Sequence, residues 1–171
     1  MRSLYPFIAA TALSLSVAGA RADDEARIHR SITPERLATI LGAGDDRMAV
    51  TASEFDGDAI LDGEAEGALY SIYFYNCGDG GFTTKAKMTS ECLSYEYRAY
   101  FDDYPDDGET INAFNAGHHF GALWRDPKAG EALALHLPVV VEGGVTEANI
   151  RATYRWWRET LRAFVLFMED R

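Results

Sequence analysis

Two cysteines, Cys77 and Cys92, carry the most specific chemistry in this 171-residue chain. Their spacing is not the C-x-x-C of a redox-active pair, and no histidine accompanies them to complete a metal site. Cys77 ends one predicted strand and Cys92 begins the next, so neighbouring strand ends would bring the sulfurs together. Because paired cysteines of exported proteins normally oxidise, we predict a structural disulfide. A redox-active or metal-binding pair is the alternative.

Export is predicted by the start of the chain. A basic beginning is followed by an apolar run from Leu4 to about Val17, and small residues precede a cleavage point after Ala22. An uncleaved membrane anchor needs about 20 apolar residues, and this run is shorter. The pattern predicts a signal peptide over residues 1–22 and a mature domain over residues 23–171. We expect that domain to be periplasmic or secreted, with no stable membrane insertion.

The acidic run from Asp56 to Glu66 invites comparison with a calcium-binding loop. An EF-hand that starts at Asp56 needs an oxygen ligand at position 5, a glycine at position 6 and an acid at position 12. The chain has Ile60, Leu61 and Gly67 at these positions. Acidic turns on a solvated edge are the simpler interpretation, and weak divalent-cation binding is the alternative.

Other metal and catalytic patterns are weak. The adjacent His118 and His119 would point about 100° apart on a helix and could not share one ion unaided. The sequence lacks the Gly-x-Ser-x-Gly and Ser-x-x-Lys motifs, a phosphate loop and a dinucleotide fingerprint. Its many acids leave open a hydrolase that uses paired carboxylates. We predict a protein that is not an enzyme and that uses no cofactor or metal.

Four arginines form a stripe along the last predicted helix, and they are Arg151, Arg155, Arg158 and Arg162. Their spacing places them together, about 100° around the helix from its apolar face. They could present bidentate donors to an acidic partner or to an anionic lipid surface. The simpler interpretation is that they neutralise the protein's own acidic segments, while their stems cover the rim of the core.

The overall charge argues against one class of function. The chain holds 27 Asp and Glu against 16 Lys and Arg, for a formal net charge of −11. Proteins that bind nucleic acids gain affinity by neutralising phosphates with lysine and arginine. We therefore predict that nucleic acid is not a partner.

Hydrophobic periodicity predicts helices at the beginning, middle and end of the mature domain. The first begins at Pro34 and ends at Gly42. The second is predicted over Thr110–Trp124, although two internal glycines weaken it by about 1 kcal/mol each. Thr146 caps the third, whose apolar face recurs at 3.6-residue spacing and comprises Ile150, Tyr154, Trp157, Leu161, Phe164, Val165 and Met168.

Alternating apolar and polar residues predict strands between these helices. The alternation runs from Met48 to Phe101 and returns from Leu133 to Leu137. In the clearest strand the polar side is formed by Ser94, Glu96, Arg98 and Tyr100. Together the patterns predict an α+β fold, with three helices packed on a mostly antiparallel sheet of about five strands.

Several motifs resemble the YbjN family. The most specific is Ile111-Asn112-Ala113-Phe114-Asn115 followed by His119-Phe120. It is similar to the family's I-N-x-W-N…R-F signature, with Phe114 in place of tryptophan and His119 in place of the usual basic residue. The first helix, the strand that ends at Cys77 and the strand that begins at Cys92 also match. The resemblance covers nearly all of the mature chain.

The resemblance implies a fold similar to that of type III secretion chaperones, with a tendency to form homodimers. It brings no catalytic residue, substrate or cofactor, because members are described mainly as regulators or chaperone-like proteins. Asn112 and Asn115 could tie a helix to the backbone of a sheet edge, since an amide both donates and accepts hydrogen bonds. A sheet edge beside a helix could also accept a peptide strand.

We therefore expect an exported, non-enzymatic binding or chaperone-like module that recognises a polypeptide partner. Tyrosines on polar-facing strand positions, such as Tyr73, Tyr75 and Tyr100, motivate this hypothesis. The candidate binding residues belong to the signature and to the arginine stripe, and they are Asn112, Phe114, Asn115, His119, Phe120, Arg151, Arg155, Arg158 and Arg162. A hydrolase with paired carboxylates and a calcium-stabilised structural protein are the alternatives.

Overall fold

A computed structural model describes residues 26–42, 48–52, 57–78, 86–102 and 108–170 of the chain. The predicted signal peptide lies outside these ranges, as does Asp56 at the start of the acidic run. The described residues form three α-helices, which are α1 (Pro34–Gly42), α2 (Gly108–Gly117) and α3 (Glu147–Glu169). They also form eight strands, which are β1 (Ile28–His29), β2 (Met48–Ala52), β3 (Ala59–Ala65), β4 (Ala68–Cys77), β5 (Cys92–Phe101), β6 (Ala122–Asp126), β7 (Ala132–Val140) and β8 (Val145–Thr146).

Six of these strands form one antiparallel sheet in the order β2-β3-β4-β5-β7-β6. The first four follow one another as a meander, as the alternating sequence predicts. The chain then leaves β5 through α2, forms the edge strand β6 and returns as β7 beside β5. The short strands β1 and β8 pair separately, with Ile28 opposite Thr146. The predicted α+β class is confirmed.

The three helices pack on one side of this sheet, which we call the helical face. Trp157 of α3 is fully buried and stacks on Tyr97 of β5 with ring centroids 5.4 Å apart. The hydroxyl groups of Tyr70 and Tyr154 lie 2.8 Å apart in the same buried layer. Phe164 continues the layer by contacting Phe101. These residues lie on the sides of α3 and β5 that the sequence periodicity predicts to be apolar.

The predicted helix over Thr110–Trp124 is wrong in its second half. The helix α2 ends at Gly117, and strand β6 begins at Ala122. Gly121, between them, has a φ of +76°, and a Cβ there would lie 2.9 Å from the carbonyl oxygen of His136. A residue with a side chain would be strained in this conformation and would collide with β7. The glycine therefore permits the turn that converts a helical pattern into an edge strand.

The two cysteines face each other across β4 and β5. Cys77 is paired with Cys92 in the sheet, their sulfurs lie 2.09 Å apart, and both residues are buried. A disulfide that closes a loop of this length restricts the unfolded chain and stabilises the fold by about 3 kcal/mol. On its other side, Cys92 exchanges two backbone hydrogen bonds with Ile32. The disulfide thus lies where the N-terminal segment joins the sheet.

Candidate functional site: the open face of the sheet

The side of the sheet opposite the helices carries a cluster of charged and aromatic side chains. We call this side the open face, because among the described residues no α-helix packs on it. It consists of the alternate positions of β3 to β7 that point away from the helical face. Its principal residues are Asp62, Glu64, Leu69, Ser71, Tyr73, Tyr75, Glu96, Arg98, Tyr100, Trp124, Asp126, His136 and Val140.

Arg98 lies at the centre of this cluster and bonds groups from three strands. One guanidinium nitrogen lies 2.6 Å from a carboxylate oxygen of Glu96, and the other lies 3.5 Å from Asp126. The same nitrogens donate to the hydroxyl groups of Tyr75 and Tyr100 at 3.1 and 3.0 Å. Only 16% of the Arg98 side chain is exposed. The guanidinium is therefore held in one place by neighbours on both sides.

Aromatic rings surround the same guanidinium. Its central carbon lies 4.9 Å from the ring centroid of Tyr73, 5.8 Å from that of Trp124 and 5.9 Å from that of Tyr100. Cation–π attraction at these distances adds to the ion pairs. The rings in turn shield the charges from water, which strengthens their electrostatic interaction. The open face is thus a packed layer of side chains, even though it is built from residues that would ordinarily be solvated.

Glu96 links Arg98 to His136. The carboxylate accepts hydrogen bonds from Nδ1 of His136 at 2.6 Å and from the hydroxyl group of Tyr75 at 2.8 Å. Burial acts to raise the pKa of Glu96, but hydrogen bonds from His136 and Arg98 and the charge of Arg98 outweigh it. Together they lower that pKa to about 2. Glu96 is consequently ionised at neutral pH.

Asp126 anchors the opposite side of the cluster. Burial again acts to raise its pKa, but bonds from the backbone amide of Lys128 and from Tyr100, with the charge of Arg98, lower it. The Tyr100 hydroxyl group donates to the carboxylate at 2.9 Å, while burial and this bond raise the pKa of Tyr100 to about 12. The carboxylates of Glu96 and Asp126 are both held in the charged form. They do not fit the pair required by a glycoside hydrolase, in which one acid has a raised pKa.

A metal site is the other arrangement that the acids and histidines of this chain could form. Within the described ranges, no three His, Cys, Asp or Glu side chains come together as a metal site. In the acidic run, Asp62 accepts a hydrogen bond from Ser71 at 2.6 Å, and Glu66 pairs with Arg158 at 2.8 Å. Asp62 thus bonds to the neighbouring strand β4, and Glu66 bonds to α3. The arrangement on the open face positions charge and aromatic surface, which is the chemistry of recognition.

The sheet register creates the cluster from distant parts of the sequence. Arg98 lies opposite Ser71 of β4 and opposite His136 of β7. Trp124 and Asp126 reach the cluster from β6. The alternation in β5 shows that Glu96, Arg98 and Tyr100 share one side of a strand, but it indicates a solvated side. No local sequence pattern predicts the pairing of β5 with β7, which buries these three residues.

Two residues of the family signature, Phe114 and Asn115, stabilise the fold. Phe114 is fully buried and packs against Phe164 of α3 with ring centroids 5.4 Å apart. The amide of Asn115 donates to the carbonyl oxygen of Leu123 at 2.9 Å and accepts from its backbone amide at 2.7 Å. Because β6 is an edge strand, Asn115 occupies the backbone groups that a further strand would use at this point. It ties α2 to the sheet edge, as the amide chemistry suggests.

The remaining signature residues lie away from the open face. Asn112 and His119 are exposed. Phe120 is 45% exposed and stacks on Trp156 of α3, with ring centroids 4.5 Å apart. Its carbonyl oxygen accepts a hydrogen bond from Thr160 at 3.1 Å. The structure therefore separates the signature residues from the cluster around Arg98.

The arginine stripe divides into two pairs. Arg151 donates to the carbonyl oxygen of Ile40 at the end of α1, and Arg158 pairs with Glu66 in the turn between β3 and β4. Arg155 and Arg162 are exposed. The stripe thus binds the protein's own backbone and acids at two positions and leaves two guanidinium groups at the surface.

Comparison with known proteins identifies the family of this chain. Residues 33–170 match the family model YbjN, described as "Putative bacterial sensory transduction regulator". No curated protein and no solved structure gives a significant match. In the described part of the chain, no helix combines the length and apolar character needed to cross a membrane. The matched region contains α1, the six-stranded sheet, the cluster around Arg98 and α3, and the chain belongs to the YbjN family.

Proposed function

We propose that this protein is an exported, non-enzymatic regulatory or binding module that holds a polypeptide partner on its open face. The observation that carries the proposal is the fixed cluster around Arg98 on a sheet face where no described helix packs. Large apolar side chains extend from the ends of the same face, since Leu69 is 75% and Val140 is 65% exposed. Apolar groups exposed beside a polar and aromatic surface are typical of protein-binding sites.

The composition of the cluster favours a polypeptide as the ligand. Tyrosine, tryptophan and arginine are the residues that contribute most to binding energy at protein interfaces. Here Tyr73, Tyr75 and Tyr100 are oriented by hydrogen bonds or by the Arg98 guanidinium before any partner arrives. Binding to such a preorganised surface requires little ordering of side chains, which favours affinity.

Binding on the face is favoured over strand addition at the β6 edge. Asn115 already occupies the amide and carbonyl groups of Leu123, the second residue of that five-residue strand. A peptide strand would have to displace both bonds before pairing there. The open face needs no such displacement.

Site-specific photocrosslinking in cells of the native bacterium tests this proposal. A photoreactive amino acid at position 69 reports on the open face, and one at Leu166, which is 51% exposed on α3, is the matched control. We expect one discrete crosslinked protein from position 69 and none from position 166. A partner captured only from position 166, or equally from both, would contradict the assignment to the open face.

Export is supported by the leader pattern and by the oxidised cysteine pair. N-terminal sequencing of the protein from fractionated cells provides the test. We expect the mature chain to begin at Asp23 in the periplasmic or secreted fraction. An intact chain that begins at Met1 and remains in the cytoplasm would contradict export without bearing on the open face.

A further inference from the structure

His136 lies on the open face with one ring nitrogen bonded and the other available. Its Nδ1 atom lies 2.6 Å from a carboxylate oxygen of Glu96. Among the described residues, its Nε2 atom has no hydrogen-bond partner. The side chain is 28% exposed. The Nε2 atom is therefore available for a hydrogen bond to a molecule bound on this face.

Glu96 determines which nitrogen of His136 carries the proton. The Glu96 carboxylate is ionised at neutral pH, so it can accept a hydrogen bond but cannot donate one. The Nδ1 atom must therefore be the donor. Because a neutral imidazole carries a single N–H group, its Nε2 atom is then an acceptor. Arg98 and Tyr75 fix Glu96 in turn, so the direction of this acceptor is set before any partner arrives.

The acceptor is flanked by apolar and aromatic surface. The ring centroid of Trp124 lies 5.7 Å from that of His136. Pro138 and Val140 occupy the next two open-face positions of β7, and both are exposed. A partner that covers these side chains would exclude water from Nε2. A buried acceptor left unpaired is costly, so such a partner needs to supply a donor at this point.

The ionisable groups around His136 keep their charge states between about pH 5 and 8, the range in which histidines titrate. The lowered pKa values of the two carboxylates keep both ionised, and burial raises the pKa of Tyr75. Burial acts to lower the pKa of Arg98, but the bonds to Tyr100 and Glu96 outweigh it and raise that pKa. The groups that face His136 in the described cluster are Glu96, Arg98 and Tyr100 of β5, Tyr75 of β4 and Asp126 of β6.

Resting on the proposed function, we propose that His136 makes binding on the open face pH-dependent, because its Nε2 atom accepts a hydrogen bond from an N–H group of the partner polypeptide. An extended polypeptide offers such groups along its main chain. Protonation of His136 converts Nε2 into a donor, which then faces the donor of the partner. Binding is thus present at neutral pH and weakens as the pH falls. A partner that presented a carboxylate would show the opposite dependence.

A titration at two pH values tests this inference on the mature, disulfide-bonded protein. The probe is the partner protein captured by crosslinking from position 69. We expect its Kd to be about fivefold higher at about pH 5.5 than at about pH 7.5, which corresponds to the loss of one neutral hydrogen bond. An equal or lower Kd at the acidic pH would overturn the inference.

Variants separate His136 from groups of the partner that also titrate. His136→Asn keeps a nitrogen that can donate to Glu96 but has no atom at the position of Nε2. It should bind about fivefold more weakly at neutral pH and show no further loss in acid. His136→Gln can place an amide oxygen near the position of Nε2, so it should bind like the wild type at both pH values. His118→Gln is the control, since it removes an imidazole that stacks on Phe114, and it should keep the wild-type pH response.

Nitrogen NMR of the wild-type imidazole tests the same inference without a partner or a variant. We expect a protonated Nδ1 and an unprotonated Nε2 at about pH 8. A neutral ring protonated at Nε2, or a His136→Gln protein that loses affinity in acid as the wild type does, would overturn the inference. Either result leaves binding on the open face intact. Failure to capture any partner from position 69 would contradict the proposed function, and the inference with it.

Discussion

The two faces of the six-stranded sheet bury their side chains by different means. On the helical face, α3 covers β4 and β5, and Trp157 stacks on Tyr97 in an apolar layer. On the open face, Arg98 forms ion pairs with two carboxylates and contacts aromatic rings. The helical face is stabilised by apolar area removed from water, whereas the open face depends on complementary charges. The two sides of the sheet thus contribute to the stability of the fold through different interactions.

The largest loss of stability should come from a substitution on the helical face. Trp157→Ala removes the largest fully buried side chain and should lower the free energy of unfolding by about 4 kcal/mol, because it leaves a cavity between α3 and the sheet. The neighbouring Trp156 is 50% exposed, so Trp156→Ala should cost about 1 kcal/mol. Urea denaturation measures both. Equal losses would mean that α3 does not pack through the face that contains Trp157.

The next largest loss of stability should come from a substitution at the centre of the open face. Arg98→Met leaves Glu96 and Asp126 without their shared cation and should destabilise the protein by about 3 kcal/mol. Arg162→Met replaces an exposed arginine of α3 and should change stability by less than about 0.5 kcal/mol. Thermal and urea unfolding give the comparison. If the two variants were equally stable, the charges of the open face would be solvated individually and not paired.

Acid should weaken the ion pairs of the open face. The pKa of Glu96 is lowered from 4.5 to about 2 in the folded protein, so its stabilising contribution is complete above the unfolded value. That contribution, on the order of 2 kcal/mol, is lost as the pH falls through about 2. We expect a steep decline in the free energy of unfolding below pH 4.5 and a shallower decline for Glu96→Gln. Parallel curves for the two proteins would contradict a lowered pKa.

The smallest of these effects concerns the sheet edge. Asn115→Ala leaves the amide and carbonyl groups of Leu123 without their side-chain partners and should cost about 1 to 2 kcal/mol. Asn112→Ala, three residues earlier on the exposed side of α2, should cost less than about 0.5 kcal/mol. Hydrogen exchange at the Leu123 amide should accelerate only in Asn115→Ala. An unchanged exchange rate would mean that water replaces the asparagine without cost.

The helical face could be predicted from the sequence because its signals are local. Period-3.6 spacing identifies Ile150, Tyr154 and Trp157, and period-2 spacing identifies the strands. The open face could not be predicted in the same way, since His136 and Asp126 join Arg98 only through the pairing of β7 with β5 and β6. The apolar residues around Trp124 also fit a helix, and only the turn at Gly121 makes that segment a strand.

Methyl NMR during a titration with the partner protein captured by crosslinking from position 69 tests the central claim most directly, namely that the open face is the binding surface. The methyl groups of Leu69 report on the open face, and those of Leu166 report on the exposed side of α3. We predict saturable shifts of the Leu69 signals while the Leu166 signals stay unchanged. Shifts confined to Leu166, or no saturable shift at Leu69 while the partner protein is bound, would contradict the account.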